Sequence, residues 1–72
     1  MMKKLYYTVD KDIEDDYTTW WKSIFVYEIK NNDMNSIAEY HEVPLEDNST
    51  EYIWDQLDSN IYTPDNTQLI IL

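Results

Sequence analysis

Trp20-Trp21-Lys22-Ser23-Ile24-Phe25-Val26-Tyr27-Glu28-Ile29-Lys30 is dense in β-branched and aromatic residues, followed at once by Asn31-Asn32-Asp33. Such residues favour a pleated strand, and Asn and Asp are the residues after glycine that best tolerate a left-handed backbone in a hairpin loop. The stretch therefore predicts a strand of about Trp20 to Lys30 entering a three-residue loop. The register then follows: Val26 should face Ala38 and Ile24 should face Tyr40 on a third strand of about Asn35 to Val43. Pro44, which cannot donate to a ladder, ends that strand.

Upstream, Leu5, Tyr7 and Val9 alternate with Tyr6 and Thr8, a period of two that reads as a strand over Lys3 to Val9. The connection from Asp10 to Thr19 reads two ways. Ile13, Tyr17 and Trp20 fall at helical spacing, whereas Thr18-Thr19-Trp20-Trp21 favour a long hairpin turning near Glu14-Asp15-Asp16. Downstream, Asn48-Ser49-Thr50-Glu51 has the form of a capping box, predicting a helix over about Ser49 to Ser59 with Ile53, Leu57 and Ile61 along one side. Pro64-Asp65-Asn66 marks a turn, and Gln68-Leu69-Ile70-Ile71-Leu72 a last short strand. With the order β-β-β-α-β the helix carries the chain back across the sheet. The expectation is one α+β domain over residues 1–72: a three-stranded antiparallel meander, a helix on one face, and the C-terminal strand beside the first (order 4-1-2-3).

Charge is the strongest compositional signal. The 72 residues hold fifteen acids against five lysines and no arginine, for a formal net charge of −10. All the lysines lie within the first thirty residues, and from Asn31 onward there is no base. Direct binding to nucleic acid or to an anionic membrane needs cations to displace counterions, so both are disfavoured. A basic protein surface is the favoured partner, because opposite fields speed encounter. Seven Tyr, three Trp and one Phe supply core material that acidic disordered tails lack. A chain this short buries only about 60% of its unfolded surface, so its stability is expected to be marginal.

There is no cysteine, which excludes disulfides and thiolate ligands and favours a reducing cytoplasm. The Met-Met-Lys-Lys start has no apolar run after it, so the reading is of a soluble, unprocessed protein. His41 is the single histidine and has no companion for a zinc site. Asp10, Asp12, Glu14, Asp15 and Asp16 superficially suggest a calcium loop, but the chain has no glycine for the sharp turn. Neither serine elbow nor phosphate loop is visible, since both fingerprints need glycine. The sequence thus predicts no enzyme, no metal and no cofactor.

Two surfaces remain. The first is an acid series, Glu39, Glu42, Glu46, Asp47, Glu51, Asp55, Asp58 and Asp65, with no lysine among them. Glu51, Asp55 and Asp58 fall at i, i+4 and i+7 on the expected helix, a like-charge stripe that slightly destabilises it. Simple solubility explains such a stripe as well as selection for a field does. Tyr52 and Trp54 are the expected apolar anchors beside it. The second is the sheet face carrying Tyr6, Phe25, Tyr27, Ile29 and Ile37, which would lie opposite the helix and suit self-association as a homodimer or virion component. The competing account is that the helix, or the Trp-containing segment, covers that face.

Small size, strong acidity and a sheet-plus-helix build resemble the phage-encoded inhibitors of bacterial defence, the DNA-mimic anti-restriction proteins and the small anti-CRISPR proteins. The start Lys3-Lys4-Leu5-Tyr6-Tyr7-Thr8-Val9 and the end Gln68-Leu69-Ile70-Ile71-Leu72 also resemble short uncharacterised proteins of Bacteroidetes and their phages. The first resemblance implies an inhibitor in the host cytoplasm, whose carboxylates stand in for phosphates in the basic nucleic-acid channel of a defence protein such as a CRISPR effector. On that implication Glu39, Glu42, Glu46, Asp47, Glu51, Asp55 and Asp58 make the contact, with Tyr52 and Trp54 at its centre.

Overall fold

The computed structural model describes residues 2–11 and 20–72, and the expected turn near Glu14-Asp15-Asp16 lies outside the described residues, as do four of the five acids that suggest a calcium loop. The fold is α+β. Four strands, β1 (Lys3–Lys11), β2 (Trp21–Lys30), β3 (Asp33–Pro44) and β4 (Thr67–Ile71), form one mixed sheet, and α1 (Ser49–Gln56) lies between β3 and β4 in the chain. The spatial order is β3-β2-β1-β4, with β4 parallel to β1 and the other pairs antiparallel. The expected topology is the observed one.

The β2–β3 hairpin shows how the register is set. Its loop has two residues, not three: Lys30 pairs with Asp33, and Asn31 and Asn32 take φ of 54° and 66°. Positive φ at both loop positions is what the favoured tight hairpin turn requires, and asparagine supplies it here without glycine. Val26 nevertheless faces Ala38 and Ile24 faces Tyr40 as expected. The ladder shifts between Val26 and Tyr27, where Ser36 faces Tyr27 and Ile37 is the extra residue. The bulge adds back the residue that the shorter loop removes.

A second irregularity lies between Lys22 and Ile24, where Lys22 faces Val43. Glu42 sits there at φ 54°. The extra residue reverses the parity of the strand, so Val43 turns inward together with Ala38 and Tyr40, which pack on or within the core. Both bulges fall on an edge strand, where they twist it away from edge-to-edge pairing.

The core is Leu5, Tyr7, Ile24, Val26, Val43 and Ile53, with Val9, Leu57, Tyr62 and Leu69 packed around it. Helix α1 closes it from one face. The Asn48 side chain caps the helix, accepting from the Glu51 N–H at 3.0 Å. Ile53 is fully buried, Tyr52 meets Tyr40 edge-on with ring centroids 5.6 Å apart, and the Tyr7 hydroxyl lies 3.3 Å from Thr50 Oγ1. The helix stops at Gln56, short of the expected Ser59. Leu57 turns extended, and Asp58 takes the Asn60 N–H onto its own carboxylate at 2.9 Å. That local bond offers the backbone an alternative to another helical turn. Ile61 consequently leaves the helical line and is exposed.

Asn66 joins the return turn to the sheet. Its N–H bonds Thr63, its amide reaches the Ile61 carbonyl, and its own carbonyl accepts from the Lys3 N–H at 2.7 Å. Those bonds start β4 alongside β1.

Candidate functional site: an acidic margin and a tryptophan groove

Glu39 and Glu42 lie on edge strand β3, Glu46 and Asp47 in the connection to α1, and Glu51 and Asp55 on the helix, all exposed. The Tyr40–Tyr52 contact sets α1 against β3, so these consecutive elements form one margin of the molecule. Asp47, Asn48, Glu51, Tyr52 and Asp55 line a shallow depression of about 120 Å³. Asp58 does not continue the stripe: the helix has ended before it, and its carboxylate is occupied with Asn60. Tyr52 is half-buried against the core and serves packing as much as surface, and Trp54 is half-buried.

Two of the five lysines bond backbone carbonyls and not the carboxylates of this margin. The Lys22 stem is buried at the end of the core, and its ammonium donates to the backbone carbonyls of Leu45 and Asp47. Lys3 donates to the Ile61 carbonyl at 2.8 Å and stands 5.4 Å from the Tyr62 ring centroid. His41 Nε2 lies 3.4 Å from Glu39 Oε2, within hydrogen-bond reach of the carboxylate.

His41 is less isolated than its sequence position suggests. Its Nδ1 lies 3.0 Å from Ser23 Oγ, and its ring meets Phe25 edge-on at 5.8 Å. Ser23, His41 and Glu39 therefore form a serine–histidine–carboxylate series, which corrects the expectation that no serine lies beside a likely base; the strand register, with Ile24 opposite Tyr40, is the signal that could have found it. Its setting differs from that of a nucleophile. Ser23 is 5% exposed on a strand within the sheet, whereas a serine nucleophile must be open to its substrate beside free oxyanion donors. Three depressions among the described residues are lined by other side chains.

The largest of these, about 560 Å³, lies between Trp20 and Trp21 on one side and Pro44, Leu45 and Glu46 on the other. Trp20 is 67% exposed and Trp21 37%. The expected anchors Tyr52 and Trp54 are half-buried, whereas Trp20 and Trp21 are exposed. Their sequence signal was available, a Trp pair at the head of a strand, but strand propensity alone does not show on which side of the core they fall.

On the opposite sheet face Tyr6, Phe25 and Tyr27 are half-buried, and Ile29 pairs with Met34 near the hairpin end, both about half exposed. Ile37 departs from this face. As the bulged residue it packs against the core, so it does not belong to the row expected with Phe25 and Tyr27.

Among the described residues no group of three or more His, Asp or Glu is arranged to hold a metal ion, and no helix is long and apolar enough to cross a membrane. No family model, curated protein or solved structure matches the chain.

Proposed function

We propose that this is a non-catalytic binding protein whose acidic margin occupies the basic, nucleic-acid-binding surface of another protein, in the manner of an inhibitor of a host defence protein such as a CRISPR effector. The observation that carries the reading is where the positive charge goes. Lys22 and Lys3 bond backbone carbonyls, and among the described residues the exposed Glu42, Glu46, Asp47, Glu51 and Asp55 form no ion pair with a lysine. A merely soluble surface intersperses both signs. An unrelieved row of carboxylates presents a field like that of a phosphate backbone and steers a basic partner to it.

The test is capture of partner proteins from host lysate at low and high salt, with wild type and the Glu51→Lys/Asp55→Lys double variant. A nucleic-acid-binding protein retained at low salt, released at high salt and lost with the double variant is the expected result. Capture that is insensitive to both salt and charge reversal defeats the proposal.

The exposed Ile29–Met34 pair supports a second reading, a structural or adaptor module that assembles through the sheet face opposite α1. It predicts a concentration-dependent oligomer that Phe25→Glu or Tyr27→Glu converts to monomer in sedimentation. Monomer at every concentration counts against it.

A further inference from the structure

We infer that the groove between Trp20–Trp21 and Pro44–Glu46 is an anchor site for an arginine-bearing apolar segment of a partner protein. The inference rests on the proposed acidic binding function and specifies where its apolar contact lies.

The groove is held open by bonds on its own walls. The Leu45 N–H donates to the Trp20 carbonyl at 3.0 Å, tying the connection after β3 to the head of β2. The Asp47 N–H closes a turn on the Pro44 carbonyl at 3.0 Å, and Lys22 grips the carbonyls of Leu45 and Asp47 from beneath. A volume of about 560 Å³ is in the range of ordinary ligand sites and takes one or two side chains.

Charge selects the occupant. An exposed indole face accepts either a stacked nucleobase or a cation. Here Glu46 is part of the lining and Asp47 follows it, so a nucleotide would bring its phosphate against carboxylates. Lys22 directs its ammonium into the loop carbonyls and not into the groove lining. A guanidinium satisfies both walls at once, stacking on an indole while pairing with the Glu46 carboxylate. Leu45 and Pro44 offer the apolar surface for a neighbouring side chain. Tryptophan and arginine are also the residues that most often dominate interface energetics.

The experiment is an NMR titration of the full chain with short peptides alternating arginine and leucine, lysine and leucine, or glutamate and leucine. The indole N–H signals of Trp20 and Trp21 report the groove, and the Trp54 indole with the backbone amides of Glu51 and Asp55 reports the margin. Expected are saturable shifts of Trp20 and Trp21 with the arginine peptide, weaker shifts with the lysine peptide and none with the glutamate peptide. Trp20→Ala should weaken arginine-peptide binding about thirtyfold, with Trp20→Phe intermediate. Equal response to the glutamate peptide, or unchanged affinity in Trp20→Ala, overturns the inference. So do indole shifts that follow protein concentration without peptide, which would mark the groove as a self-contact. Margin signals that move while the Trp20 and Trp21 indoles stay still overturn the groove and leave the acidic reading standing. Indole shifts in a protein whose partner capture ignores Glu51→Lys/Asp55→Lys support the groove and remove the margin.

Discussion

Lys22 on β2 sets its ammonium on the backbone carbonyl of Asp47, 25 residues further along the chain, and also lies 3.4 Å from the Leu45 carbonyl. The side chain enters at the end of the core opposite Val43, so its ammonium is turned inward beneath the acidic connection. One residue thereby shapes the loop and braces the tryptophan groove through backbone carbonyls, without a direct ion pair to the neighbouring carboxylates.

Replacing Lys22 by methionine keeps the buried stem and removes the charged donor. Hydrogen bonds to charged groups contribute about 1.5–3 kcal/mol, partly offset by the desolvation that the ammonium no longer suffers. We expect a loss of about 1–2 kcal/mol in urea unfolding. Exchange of the Leu45 amide, which bonds Trp20, should accelerate by more than the global loss accounts for. An unchanged Leu45 exchange rate relative to the rest of β3 would show that Lys22 does not hold the loop.

Glu42 occupies the left-handed region at φ 54°, in a chain that contains no glycine. A side chain with a Cβ is disfavoured there by roughly 1–2 kcal/mol. Glu42→Gly should therefore stabilise the fold by about 1 kcal/mol in thermal or urea unfolding. Glu42→Ala removes the same charge but keeps the Cβ, and should give no such gain. If alanine stabilises as much as glycine, the effect is relief of acidic repulsion and not of backbone strain. On the proposed function, both variants should weaken partner capture, because both remove a carboxylate from the margin.

The fold was legible where one physical rule dominated. The period-two pattern in β1, the density of β-branched and aromatic residues in β2, and the Asn48 cap each point to one element, and each is there. What escaped were the places where two local effects offset one another. A two-residue Asn31-Asn32 turn plus a bulge at Ile37 produces the same core register as a three-residue loop, so the Val26–Ala38 pairing was predictable while the position of Ile37 was not. The second bulge at Glu42 likewise has no compositional signal, because glutamate carries no preference for positive φ. In the candidate site the acids of β3, the connection and α1 were visible as a run without lysine. The role of Lys22 was not, since its spacing from Leu45 and Asp47 becomes proximity only once β2 and β3 pair. Asp58 was placed on the stripe by helical spacing and lost from it because an aspartate two residues before Asn60 prefers its own turn.

Tyr40 gives a pH test of the packing between α1 and β3. Burial, and secondarily the neighbouring Tyr52, raise its phenol above the ordinary value of 10.0. The neutral form is thus favoured more in the folded chain than in the unfolded one. The associated stability is fully present below pH 10.0, begins to fall as the unfolded tyrosine ionises, and is gone once pH has passed the raised value of the folded state. Tyr40→Phe retains an aromatic ring against Tyr52 but has no phenol to ionise. Unfolding free energies measured by urea at a series of alkaline pH values should decline less steeply in the variant than in the wild type, with the two curves running parallel at neutral pH. An ultraviolet titration of the wild type should contain a tyrosine step above pH 10.0 that Tyr40→Phe removes. Equal alkaline slopes in the two proteins would mean that the Tyr40 hydroxyl is solvated in the folded state, and that the Tyr40–Tyr52 contact does not seal α1 onto β3.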